Sequence, residues 1–329
     1  MPLLRIMNNL LMKNRFLTIV VIHVFWCINA YAISVTISSG VDNADLKSRM
    51  ENATACFLDE VNAAHASGRR LNFSALDLSQ NMQRSIGKLW GNCPFVCTDD
   101  EIVESCIMTS TGYQIRNIPL WMKHIGDSDE KAEFDNAVIC FDPKGRIVDF
   151  NFSIPSVLYA KVINEDRDIE DRHHRQVILD YVENLRASYI QKDISYMKQA
   201  YNKNSLIIIG KVIQERHGRM SFPKMKYKRQ GKHRYFANLR RVFRNNKYLK
   251  VNFDEIEVMR HPVNDDFYGV TMHQSLASGT CHNGGYIFLL WDFRDESDPQ
   301  IQLRTWQPDK IGKKTLPKDE IFTLSDFDI

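Results

Sequence analysis

Residues 286–293 (YIFLLWDF) constrain this chain more than any other segment. Strand alternation puts Tyr286, Phe288, Leu290 and Asp292 on one face and Ile287, Leu289, Trp291 and Phe293 on the other. Both faces are apolar, so the strand is expected to be buried on both sides, and pattern alone does not tell inside from outside. Leu206 to Ile213 (LIIIGKVI) is a second apolar run rich in β-branched residues and predicts another buried strand. A chain of 329 residues, 44% apolar and 25% charged, is large enough for about two domains with real cores. That composition excludes collagen, long coiled coil and wholesale disorder.

Other segments supply the rest of the order. Leu46, Met50, Ala53, Phe57, Val61 and Ala64 form one stripe of a helix predicted over Asp45 to Ala66, and Ser67-Gly68 ends it. A second helix is predicted from Ser79 to Trp90. Strands follow at Glu101 to Thr109, Tyr113 to Met122, Ala137 to Phe141 and Arg146 to Ile154, the last two joined by the turn Asp142-Pro143-Lys144-Gly145. Residues 163–175 are densely charged and read as a linker or a helix entry. Beyond them Val177, Ile178, Tyr181, Val182, Leu185 and Tyr189 make a helical stripe, and Asp193 is placed to cap a short second helix. A helix over Phe236 to Phe243 and strands at Tyr248 to Arg260, Tyr268 to Ala277, Tyr286 to Arg294 and Ile301 to Trp306 complete the pattern. Asn283-Gly284-Gly285 reads as a turn between two of them. Helices followed by a meander predict an α+β fold in both halves.

The segments QVILDYVENLRASYIQKDISYMKQAY, NSLIIIGKVI, YFANLRRVFRNNKYLKVNFDEIEVMRHP, YGVTMHQSLASG and GGYIFLLWDFRDESDPQIQLRTWQPDK resemble the nuclear transport factor 2-like superfamily, in particular its exported bacterial subgroup of unassigned role. The resemblance covers about Gln176 to Lys310. It implies a cone: a curved antiparallel sheet folded around helices, open at one mouth. Some members are isomerases or dehydratases and many only bind ligands or partners, so the fold does not name a function. The resulting division is a leader over 1–32, an α+β unit over 33–162, a charged linker over 163–175, the cone over 176–310 and a tail over 311–329. GYQIRNIP in the first half and QIQLRTWQP in the second share an apolar-Arg pair, which admits the first half as a diverged copy of the second.

Residues 1–32 read as a secretory signal. A basic start, the apolar run Phe16 to Ile28 and the small-x-small site Ala30-Tyr31-Ala32 have that layout, and an uncleaved anchor is the alternative. The expected location is therefore periplasmic or extracellular. Losing the segment removes three cations and no acid from a chain of net charge +3, which leaves it neutral. Neutrality and export both weigh against nucleic acid as a partner, and no span is expected in the mature chain. Six cysteines remain, of which Cys93 and Cys97 have a spacing unsuited to a zinc ribbon. They read as buried small hydrophobes, with one local bridge admitted.

No established catalytic motif is present, so no catalytic residue, metal or cofactor is assigned. The candidate pocket residues are Tyr181, Tyr268, His273, Trp291, Asp292, Arg304 and Trp306. Arg304 is suited to a bidentate grip on a carboxylate, or to stacking on an aromatic ring. Asp292, beside Arg294, Asp295 and Glu296, reads more readily as a rim charge. Adjacent His173 and His174 point too far apart on a helix to share an ion. From Lys211 to Lys250 there are 14 Lys and Arg against the single acid Glu215. Lys224, Lys226, Lys228, Arg229, Lys232 and Arg234 are the candidate anion contacts there. Gly218, Pro223 and Gly231 suggest turns, so the tract also reads as a solvated hairpin or loop insertion. Three functions remain open: a non-catalytic binding or assembly module, a cone-pocket isomerase or hydro-lyase, and a surface for an anionic polymer. The partner expected is an unidentified protein or small molecule, and a homodimer is also open.

Overall fold

A computed structural model describes residues 32–127, 132–165, 168–217, 220–279 and 281–327. The leader lies outside these residues except for Ala32. In the first unit, helix α1 (Ala44–Ala66) starts at Asn43, whose side chain accepts from the Leu46 amide, and α2 (Gln80–Asn92) starts at Ser79 in the same way. Their apolar stripes pack onto a curved sheet of β2 (Phe95–Val96), β5 (Tyr113–Met122), β6 (Glu133–Phe141) and β7 (Ile147–Phe152), with β4 (Cys106–Met108) also on β5. Strands β1 (Ser34–Ile37) and β3 (Glu101–Glu104) form a separate parallel pair. The strand expected over Glu101 to Thr109 is thus split in two. The predicted hairpin turn is present, with Gly145 at φ 80°, where a Cβ would lie 2.9 Å from the Leu46 side chain.

The charged stretch is a helix entry rather than a linker. Helix α3 (Ser156–Ile163) leads into α4 (Ile169–Gln191), a 23-residue helix that begins inside that stretch with Asp168 as its cap. Asp171, His174 and Arg175 are buried in its first turns, since their polar groups bond to one another and to neighbours rather than to water. Ile154, Tyr159 and Val162 belong to the second core, which therefore begins before Gln176. Helix α4 ends at Lys192, φ 56°, and Asp193 caps α5 (Ile194–Gln199) by accepting from the amides of Ser195 and Tyr196.

The second sheet has six strands in the order β10 (Lys250–Arg260), β11 (Phe267–Ala277), β12 (His282–Asp292), β13 (Gln300–Pro308), β8 (Tyr201–His217), β9 (Met220–Gly231). All neighbours are antiparallel except β13 and β8, which run parallel. One face carries Tyr268, Val270, Met272, Ile287, Leu289, Trp291 and Phe293 against α4 and α6 (Lys232–Asn245). The opposite face carries Ile208, Phe267, Phe288, Leu290 and Leu303, covered by Leu324, Phe322 and Phe327. The two apolar faces of residues 286–293 are thus both buried, one under helices and one under a tail that works as a cover. The basic tract is a hairpin rather than a loop in its first half: the end of β8 pairs residue for residue with β9. Pro223 is accommodated there because β9 is the sheet edge. Gly284 and Gly285 lie within β12 rather than in a turn. A Cβ on Gly285 would come within 2.8 Å of the Trp306 indole, so the glycine lets that ring lie on the strand.

Candidate functional site

Arg304 is the centre of the site. It sits on β13 opposite Ile207 of β8 and is 3% exposed, facing the helices. Among the described residues no carboxylate pairs with it. Its neighbours are the tyrosines of α4, α6 and β8. The guanidinium lies over the Tyr235 ring at 5.4 Å, and its Nε has no hydrogen-bond partner. Burial works against its charge, but the hydroxyls of Tyr235, Tyr201, Tyr189 and Tyr181 outweigh that and raise its pKa above the usual arginine value. The charge therefore stays on, in a place where a bare cation costs several kcal/mol of desolvation. Cation–π attraction to one ring returns about 2 kcal/mol at most.

Arg304 opens onto a cavity of about 520 Å3 lined by Tyr189, Tyr235, Leu239, Trp306 and Gln274, with Arg241 and Asn245 of α6 among the lining residues as well. That is a normal volume for a small-molecule site, with largely apolar walls, one buried charge at Arg304 and an exposed one at Arg241. Tyr181 and Trp291 back it from behind, their rings edge to face at 5.1 Å, and the Trp291 Nε1 also lacks a partner. Of the seven candidate pocket residues, the structure brings together Tyr181, Trp291, Arg304 and Trp306. A larger cavity of about 660 Å3 lies in the first unit, lined by Trp90, Arg69, Arg70, Lys123 and His124. Arg69 there is already held by Glu60 at 2.6 Å, and burial lowers the pKa of His124, so it has no buried, unpaired charge to offer.

The remaining three candidates go elsewhere. His273 is on the face away from the helices, between Asp254 at 2.9 Å and Asp309 at 3.8 Å. Asp292 stands at a strand end with both oxygens held by Arg294 and a further bond from Gln302. Burial would raise its pKa, but the Arg294 bonds lower it overall, so it is a structural anion. Tyr268 is wholly buried and donates to Asp171 at 2.8 Å.

Sequence reasoning missed the group around Tyr268. Because the Tyr268 proton goes to Asp171, its oxygen is left to accept from His174 Nδ1 at 3.3 Å, and His174 Nε2 faces Glu296 at 2.6 Å. Asp171 is further held by Arg175 at 2.6 Å. Burial and the bond to Asp171 both raise the Tyr268 pKa, so it stays a hydroxyl. His174 stacks on Phe293 at 4.1 Å. The spacing Asp171, His174, Arg175 on one helix was the available signal, obscured by the surrounding charge. His173 and His174 have ring centres 6.0 Å apart, and it is Glu170, His174 and Glu296 that bring ligand-type atoms within 4.8 Å of one another. Two of those three residues are exposed carboxylates, and nothing else at the group points to an ion.

The six basic candidates do not share a face. Lys224 is paired with Glu215 at 2.9 Å, Arg229 faces the tail side opposite Ile208, Lys232 donates to the Tyr201 carbonyl, and Arg234 is exposed on α6. Lys226 and Lys228 are on the helix side of the sheet.

The sheet of the second unit curls around α4 into a cone, as the sequence resemblance implies, with one parallel pair added. Solved structures similar to this chain include a nuclear transport factor 2-like protein from Cytophaga hutchinsonii (14% identity, TM-score 0.32, 41% of this chain and 97% of that one) and one of unknown function from Shewanella oneidensis (16%, TM-score 0.29, 40% and 97%). Bd1075 of Bdellovibrio bacteriovorus is similar at 14% identity and TM-score 0.33. The match covers 50% of this chain and about half of Bd1075, 48%. No family model and no curated protein matches the sequence. Among the described residues, no helix is long and apolar enough to cross a membrane.

Proposed function

We propose that this is an exported, non-catalytic binding module whose cone holds a small ligand with an apolar body and an anionic head, the head paired with Arg304. One observation carries the reading: a charged arginine, 3% exposed, borders a largely apolar cavity, and among the described residues no anion pairs with it. A carboxylate there gains two parallel charge-assisted bonds and relieves the desolvation cost. The ring of tyrosines sets the depth of the head, and Trp306 and Leu239 flank the body.

Geometry disfavours the enzymatic alternative. A general acid or base must reach the substrate. Asp292 is locked by Arg294, His273 is on the other face, and the Asp171–Tyr268–His174 group is spent on internal bonds. Titrating the protein with dodecanoate while following tryptophan fluorescence tests the reading. Saturable binding is expected, weakened about a hundredfold in Arg304→Gln. Unchanged affinity in that variant rejects it.

A further inference from the structure

The face that holds Arg304 continues past the cavity. On β8 and β9 the register places Ile207 opposite Gln230, Ile209 opposite Lys228, Lys211 opposite Lys226, and Ile213 opposite Lys224. Ile207 pairs with Arg304 and Ile209 with Trp306, so these rows share the Arg304 side of the sheet. Asn238 of α6, which reaches Gln230 at 3.4 Å, confirms that this is the side under the helices. Beyond α6 the same surface is bare. Lys211, Lys226 and Lys228 are exposed there, and none is in an ion pair among the described residues; the one acid in the tract, Glu215, is taken by Lys224. Lys211 and Lys226 stand directly opposite each other, an arrangement that repels. Arg241 joins them from the cavity lining.

We infer that the cone and this lysine surface are one site, and that its ligand is an elongated dianion with one carboxylate at Arg304 and a second anionic group at Lys226 and Lys228. The inference rests on the proposed Arg304 site and specifies what that site takes. Strand geometry gives the spacing. Two residues along a strand rise about 6.8 Å and neighbouring strands lie about 4.8 Å apart, which puts the Lys228 backbone roughly 12 Å from that of Arg304. Ile209 and Trp306 lie between the two charged ends, so the middle of the ligand is apolar. Repulsion among Lys211, Lys226 and Lys228 falls when an anion sits among them.

Lysines and a proline on an edge strand also discourage sheet-to-sheet pairing, and the test must separate that role. The full chain is titrated with dodecanoate and with dodecanedioate, in the wild type and in a Lys226→Ser/Lys228→Ser variant. Those positions are exposed, so the fold should hold. The diacid is expected to bind roughly fivefold tighter than the monoacid at low salt, with the gain lost in the variant and at high salt. The monoacid affinity should not change. Equal binding of both acids by the wild type overturns the dianion while leaving the Arg304 pocket standing. Binding of neither acid overturns both. A variant that self-associates yet keeps its preference for the diacid assigns the lysines to guarding the edge, and also overturns the inference.

Discussion

Each half of the molecule buries one arginine on the helix-facing side of its sheet, and the two have opposite surroundings. Arg116 of β5 is 4% exposed, with Glu183 of α4 accepting from both terminal nitrogens, Gln114 accepting at 2.7 Å and the Tyr159 ring 3.8 Å from its carbon. Glu183 in turn accepts from the Ile154 amide at 2.9 Å. The Arg116 Nε lacks a hydrogen-bond partner, as the Arg304 Nε does, but its charge is matched within the chain, and the pair ties the first sheet to the helix that fills the second. Arg304 has aromatic rings and a cavity instead. A buried arginine with its anion supplied by the chain is a structural joint; one without it leaves a demand for an anion from outside.

Methionine substitution should separate the two most sharply. Arg116→Met strands Glu183 in the interior, and breaking one side of a buried pair costs about 3–5 kcal/mol, or roughly 10 °C in Tm. Arg304→Met removes an unpaired cation and adds apolar contact, so it should raise the Tm of the ligand-free protein by a few degrees. Thermal unfolding by circular dichroism reads both.

A third expectation concerns the acids around Arg116. Burial, then Glu183, pushes Asp180 up to about 8, and Asp149 and Glu183 are raised as well, burial being the largest cause in each. An acid with a raised folded pKa holds a proton that the unfolded chain has released. Its contribution is therefore complete below about pH 4 and is lost as pH rises towards 8. Denaturant unfolding should show stability falling across that window, and Asp180→Asn should flatten the slope and stabilise the protein at pH 8. An unchanged slope would place the pH dependence elsewhere. No such dependence is expected from the Arg304 side, where no acid is close.

The smallest effect tests the cavity wall. Trp306→Phe should trim the ring that flanks the cavity, weakening dodecanoate binding severalfold while shifting Tm by only a degree or two. Fluorescence titration with a parallel melt checks it. Equal affinity would mean the ring does not bound the ligand.

Much of this was legible in the sequence. The stripes of α1, α2 and α4, the cap at Asp193, the turn at Gly145 and the double-faced strand at 286–293 follow local rules. What failed did so where local rules were overridden. The segment 163–175 stays between linker and helix entry in the sequence because its charges are dense, and Asp171 and Arg175 satisfy each other inside the core, a pairing no composition reveals. Lysines in β9 hid the alternation Met225, Tyr227 that faces the tail, where Tyr227 meets Gln307 and Phe322. Gly284 and Gly285 looked like a turn, when they make room for Asp309 and Trp306. That Arg116 has a carboxylate and Arg304 does not depends on α4 reaching across both sheets, which neither strand's own sequence encodes.

The central claim is that Arg304 is held in readiness for an anion, at a cost to the fold. The most direct measurement is the Tm of the wild type and of Arg304→Met, each with and without dodecanoate at about a hundred times the wild-type Kd. The wild type should gain several degrees on adding the acid, while Arg304→Met should start higher and gain nothing. An Arg304→Met protein that melts lower than the wild type and is still stabilised by dodecanoate would contradict the account.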